Sequence, residues 1–155
     1  MASWKMLRSK LRSARRFSVK EWRFLIIATL WLTVLRVSMP LFGFRRCVAA
    51  YGAKSKCAAT LSLTPKQANT VQTISKCVQI ASRNSIFKPN CLRSSLVLWR
   101  LLSHHGIPAS LRIGVRDEKE GITAHAWIEL NGAVLNDRPD VANNYLCFEG
   151  QDNYW

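Results

Sequence analysis

Three side chains in the C-terminal half have the types and spacing for covalent catalysis: Cys91, His125 and Asp137. Cys91 follows Asn90, a good helix N-cap, and opens the apolar run CLRSSLVLWRLL. That places its thiol in the first turn of a helix, where unpaired backbone N–H groups and the helix dipole favour a thiolate. The same N–H groups can stabilise an oxyanion on an attacked carbonyl. His125 lies in ITAHAWIEL, which alternates as a strand does, and a thiol nucleophile needs an imidazole within hydrogen-bond reach. Asp137 ends the next strand, beyond the hairpin signal Asn131-Gly132. It falls one position out of strict register with His125, an offset a bulge absorbs. A carboxylate there can hold the imidazole in one tautomer. Singly, each residue has an ordinary role: a buried thiol, a structural histidine, a turn-forming aspartate beside Arg138-Pro139. In this order and on these elements they form a nucleophile–base–orienter set, with Asp140 as the second candidate acid.

The elements that must position them follow from the flanking pattern. Thr64-Pro65 starts a helix, and Val71, Ile74, Val78 and Ala81 continue it at helical spacing to about Arg83. NSIFKPN (84–90) breaks the pattern before the Cys91 helix, whose Leu92, Leu96, Trp99 and Leu102 form one stripe. Leu98 and Leu101 widen that stripe, so this helix should be central. Gly106 ends it, with His104 and His105 in the last turn, where positive charge suits the dipole. Strands are expected at 109–116, 122–130 and 133–137, with the polar turn DEKEG between the first two. The fold class is α+β, helices packed on an antiparallel sheet.

Several local motifs sit on this frame: Cys-Leu-x-x-Ser at 91–95, Gly-Ile-Pro-Ala at 106–109, Ile-Gly-Val-Arg at 113–116 and Ala-His-Ala-Trp at 124–127. Asp137 follows His125 by twelve residues. Together, over roughly residues 88–148, they resemble the transglutaminase-like leader peptidases of lasso-peptide (microcin-type) biosynthesis. The apolar helix followed by Phe44-Arg45-Arg46 is similar to that family's N-terminal segment. The resemblance implies a transglutaminase-like, papain-like core and a cysteine peptidase that removes the leader from a ribosomally made precursor through a thioester. It makes Cys91 the nucleophile, His125 the base and then acid, and Asp137 the orienter, with no metal and no cofactor. Ser94, Ser95 and Trp127 become candidate substrate contacts; ordinary packing is the alternative for each. The implied partners are the precursor leader, a separate leader-recognition protein and an ATP-dependent cyclase. The split form is expected, because no strand pattern marks a fused recognition domain within residues 1–60.

Composition bounds the alternatives. The chain has 155 residues, 48% of them apolar, and a net charge of +14. One domain-sized core fits that length, and the apolar fraction excludes wholesale disorder. The charge is uneven: residues 1–60 hold thirteen Lys+Arg and one acid, Glu21, while residues 61–155 are close to neutral. Residues 1–60 therefore read as a basic arm and apolar docking helix, and 61–155 as the peptidase domain. No nucleic-acid-binding motif accompanies the charge, so specific nucleic-acid recognition is not expected. The apolar run Phe24–Leu35 rises only about 18 Å as a helix, short of the ~30 Å hydrocarbon core. Docking on the body or on a membrane surface fits it better than a span or a signal peptide. Five cysteines (47, 57, 77, 91, 147), with no C-x-x-C pair, argue against a disulfide framework or zinc site and point to a reducing, cytoplasmic setting. Two other function classes stay open: transglutaminase-type acyl transfer, which shares the thioester, and a non-catalytic scaffold of a peptide-maturation complex.

Overall fold

The computed structural model describes residues 17–51, 62–85, 90–118 and 121–147. The basic arm at 1–16, the connection at 52–61, residues 86–89 of the NSIFKPN break, the tip of the DEKEG turn and residues 148–155 lie outside the described residues.

Helix α1 spans Val19–Phe42, longer at both ends than the Phe24–Leu35 run. Its start is set by a capping box: the Ser18 hydroxyl accepts from Glu21 N–H, and the Glu21 carboxylate accepts from Ser18 N–H at 2.8 Å. The helix carries Arg36 and Pro40 inside and stops at Gly43, whose φ of 80° ends the turn. A short helix α2 follows (Phe44–Tyr51). Helix α3 (Pro65–Arg83) starts with the expected Thr64 cap and a reciprocal Gln67 side chain. Helix α4 (Cys91–His104) is capped by Asn90, whose side-chain oxygen accepts from Arg93 N–H at 3.3 Å.

Ala28 and Leu35 of α1, Ile74 and Val78 of α3, and Leu96, Leu98 and Leu102 of α4 share one core. Leu111, Ala126 and Ile128 of the sheet complete it. Helix α4 is buried without a break from Ser95 to Trp99, the central position its wide stripe implied. The sheet is antiparallel with order β3-β2-β1-β4: β1 Ser110–Glu118, β2 Gly121–Leu130, β3 Ala133–Val134, β4 Leu146–Cys147. Asn131 (φ 51°) and Gly132 (φ 77°) are both left-handed, as a two-residue hairpin of this hand requires. The third strand is two residues long, not five: Leu135 N–H still reaches the Ile128 carbonyl at 2.9 Å, but Ile128 N–H goes to the Asn136 side chain and the ladder ends there. Strand β4, with the 3-10 turn before it (Val141–Asn144), carries no sequence alternation and was not anticipated.

His104 and His105 close α4, as expected. His105 caps the helix, donating its backbone N–H to Leu102, and its ring stands edge-on to Phe24 at 5.4 Å. Desolvation, and next the neighbouring His104, hold its pKa below the ordinary histidine value. As pH falls through that ordinary value, about 6.5, the unfolded chain takes up the proton first. Stability is therefore lost on acidification until the lower folded pKa is passed. The loss of melting temperature between pH 7.5 and 5 should be smaller in His105→Gln than in the wild type; an equal loss would contradict this.

Candidate active site

Alternation along β2 puts Ala126, Ile128 and Leu130 in the core and turns His125, Trp127 and Glu129 to the opposite face. His125 meets Asp137 there: Nε2 lies 2.6 Å from Oδ2. The second carboxylate oxygen of Asp137 accepts from Arg138 N–H at 2.7 Å, which fixes the carboxylate plane. An ionised carboxylate only accepts, so Nε2 carries the ring proton and Nδ1 keeps a lone pair for a thiol proton. Asp137 reaches His125 because β3 has already ended; in a continued ladder it would stand opposite Ala126. Asp140 is exposed and makes no side-chain cap bond; its carbonyl accepts from Asn143 and Asn144.

Aromatic rings hold the imidazole from the sides. Trp127 stacks on His125 at 6.1 Å and 24°, and Tyr145 at 5.1 Å and 26°. Trp127 has no exposed surface, and its indole N–H donates to Glu129 Oε1 at 2.7 Å. Glu129 is held in turn by Arg112 at 3.1 Å. The Arg116 guanidinium covers the Tyr145 ring at 5.0 Å. Trp127 thus supports the histidine from within the protein and presents nothing for a substrate to touch.

Cys91 is the first residue of α4, half-buried, with a free thiol. No hydrogen bond joins it to His125 among the described residues. What ties the two elements is Ser95, one turn further along the helix and fully buried. Its hydroxyl donates to the Ala126 carbonyl at 2.9 Å and accepts from Asn136 Nδ2 at 2.8 Å. This docks the N-terminal half of α4 beside the residue that follows His125. Both hydrogen-bonding directions of the Ser95 hydroxyl are occupied inside the protein, so it is not poised for substrate. Ser94 donates to the Asn90 carbonyl and lies 2.8 Å from the Ser82 hydroxyl, joining α4 to α3.

Two contributors escaped the sequence reading, Asn136 and Tyr145. Gly114 carried a signal for the second, since an interior strand glycine often marks a close approach. A Cβ there would lie 2.7 Å from Tyr145 Cβ, 3.1 Å from Trp127 and 3.2 Å from the Leu146 carbonyl. Gly114→Ala should therefore loosen the Tyr145–β4 segment and cost about 1–3 kcal/mol, seen as a lower melting temperature. An unchanged melting temperature would show that the segment gives way freely.

The transglutaminase-like superfamily matches residues 29–147, from within α1 to the end of β4. Among curated proteins, the microcin J25-processing protein McjB of Escherichia coli is 42% identical over 57 residues. That stretch is 37% of this chain and 26% of McjB, so the match spans about a quarter of its relative. No solved structure matches the chain. Helices on an antiparallel sheet, a cysteine opening the central helix and a family match over most of the chain agree: the protein belongs to the transglutaminase-like superfamily.

Proposed function

We propose that the protein is a cysteine peptidase that removes the leader from a ribosomally made lasso-peptide precursor. The observation that carries this reading is the 2.6 Å His125–Asp137 bond, which leaves Nδ1 free to serve a cysteine. Cys91 gives its thiol proton to His125 Nδ1, and the thiolate attacks the carbonyl carbon of the last leader residue. First-turn N–H groups of α4 stabilise the oxyanion. As the C–N bond breaks, the imidazolium returns the proton to the leaving amine, which becomes the N-terminus of the core peptide. Water then attacks the thioester, losing a proton to His125; the C–S bond breaks, the leader departs as a carboxylic acid and Cys91 regains its proton. His125 is base and then acid, and Asp137 holds its tautomer throughout. Transfer of the acyl group to an amine in place of water is the transglutaminase alternative, and its product would be heavier than hydrolysis allows. A separate leader-binding protein and an ATP-dependent cyclase are the partners of such a reaction.

Mass spectrometry of precursor incubated with the enzyme and leader-binding protein tests this. Cys91→Ala and His125→Ala should abolish cleavage with the fold retained, and Asp137→Ala, which removes the acceptor for Nε2–H, should slow it by a factor of about 10² or more. Undiminished cleavage by Cys91→Ala would end the proposal.

A second feature favours a membrane-surface setting. One face of α1 packs into the core through Ala28 and Leu35, while the other exposes Ile26, Leu30, Val34, Val37 and Leu41 in a continuous stripe. Lys20 and Arg23 lie at one end of the helix and Arg45 and Arg46 beyond the other. The helix is long and apolar enough to cross a bilayer, but its docked face favours lying in the surface, with the basic residues at anionic headgroups. The protein should co-sediment with phosphatidylserine-containing vesicles, and Leu30→Lys with Val37→Lys should release it. Equal sedimentation of the double variant would reject the contact.

A further inference from the structure

The backbone of β2 poses a problem that two side chains solve. In this register Ala126, Ile128 and Leu130 direct their N–H and C=O groups toward the β3 side. Leu130 pairs with Ala133, and the Ile128 carbonyl still receives Leu135 N–H at 2.9 Å. Beyond that point β3 has ended and the next groups would be unpaired. The Asn136 side chain takes over: its Oδ1 accepts from Ile128 N–H at 2.8 Å. Ser95 takes the next place, donating to the Ala126 carbonyl at 2.9 Å, and Asn136 Nδ2 donates to Ser95 at 2.8 Å. The result is a closed chain of three side-chain hydrogen bonds across α4, β2 and the segment leading to Asp137.

We propose that Asn136 and Ser95 form a positioning bracket that sets the catalytic geometry. Each member is one residue or one helical turn from a member of the catalytic set. Asn136 precedes Asp137, Ala126 follows His125, and Ser95 follows Cys91 by one turn. Asn suits this position because only an amide offers an acceptor to Ile128 N–H and a donor to Ser95 in one rigid plane. Aspartate would lose the donor and alanine would lose both bonds. Neither Asn136 nor Ser95 touches substrate; they act through Asp137 and through the placement of α4 against β2.

The inference rests on the peptidase reading, so its test uses two readouts independent of catalysis. The first is the downfield proton resonance of His125 Nε2–H shared with Asp137. The second is the rate and pH profile of Cys91 alkylation by iodoacetamide. Asn136→Ala should lose the shared-proton resonance. It should also slow Cys91 alkylation at neutral pH about tenfold or more. Leu135→Ala, which trims a partly buried core contact and leaves the bracket intact, should keep the resonance and alkylate within about twofold of wild type. Where Asn136→Ala fails to fold, Ser95→Ala carries the same test, since Ile128 then keeps its acceptor. A folded variant with the wild-type resonance and alkylation profile overturns the bracket. Loss of the resonance in a protein whose wild-type Cys91 reacts no faster than Cys77 or Cys147 upholds the bracket and overturns the peptidase reading. Burial and the nearby Glu21 charge push the Cys77 thiol up, and desolvation with Glu129 does so at Cys147, so both are slow references.

Discussion

The early end of β3 is the constraint on which the site depends. Two residues after the hairpin turn the chain leaves the ladder, and the edge of β2 beyond Ile128 must be satisfied by other groups. An unpaired buried carbonyl or N–H costs roughly 1–3 kcal/mol, so that edge is a strong organising site. A helix hydroxyl and a loop amide fill it, which draws α4 against the strand and swings Asp137 across to His125. A longer β3 would have kept Asp137 opposite Ala126, with its carboxylate away from the imidazole.

The helices answer to a different logic. Helix α4 is apolar around most of its surface and can only be stable at the centre, with α1 and α3 on one side and the sheet on the other. That central burial leaves its first turn, with the half-buried Cys91, at the margin of the core. The far end, at His104 and His105, is packed against α1 through Phe24. Helix α1 is apolar on both faces, and only one of them is covered by the described protein.

Much of this was legible in the residues themselves. Thr64-Pro65, Asn90 and Asn131-Gly132 are local signals whose physics does not depend on the rest of the chain, and the elements begin where they indicate. The Cys91 helix and the two long strands were clear because their apolar periods persist over whole elements. Helix α1 was underestimated because hydropathy ended at Arg36, whereas the Ser18–Glu21 capping box and a proline tolerated in the last turn set its real limits. Asn136 was invisible because its role arises from a strand ending, a tertiary event with no local marker. Tyr145 sits in a segment without periodicity, and only Gly114, across the sheet, hinted that something approaches closely.

In the proposed mechanism Cys91, activated by His125, attacks the precursor. The most direct measurement is acid quenching of a single turnover, followed by peptide mapping of the enzyme. A leader acyl group should be found on Cys91, and the adduct should vanish in His125→Ala. Precursor cleavage with Cys91 unmodified, continuing undiminished in Cys91→Ala, would contradict the claim.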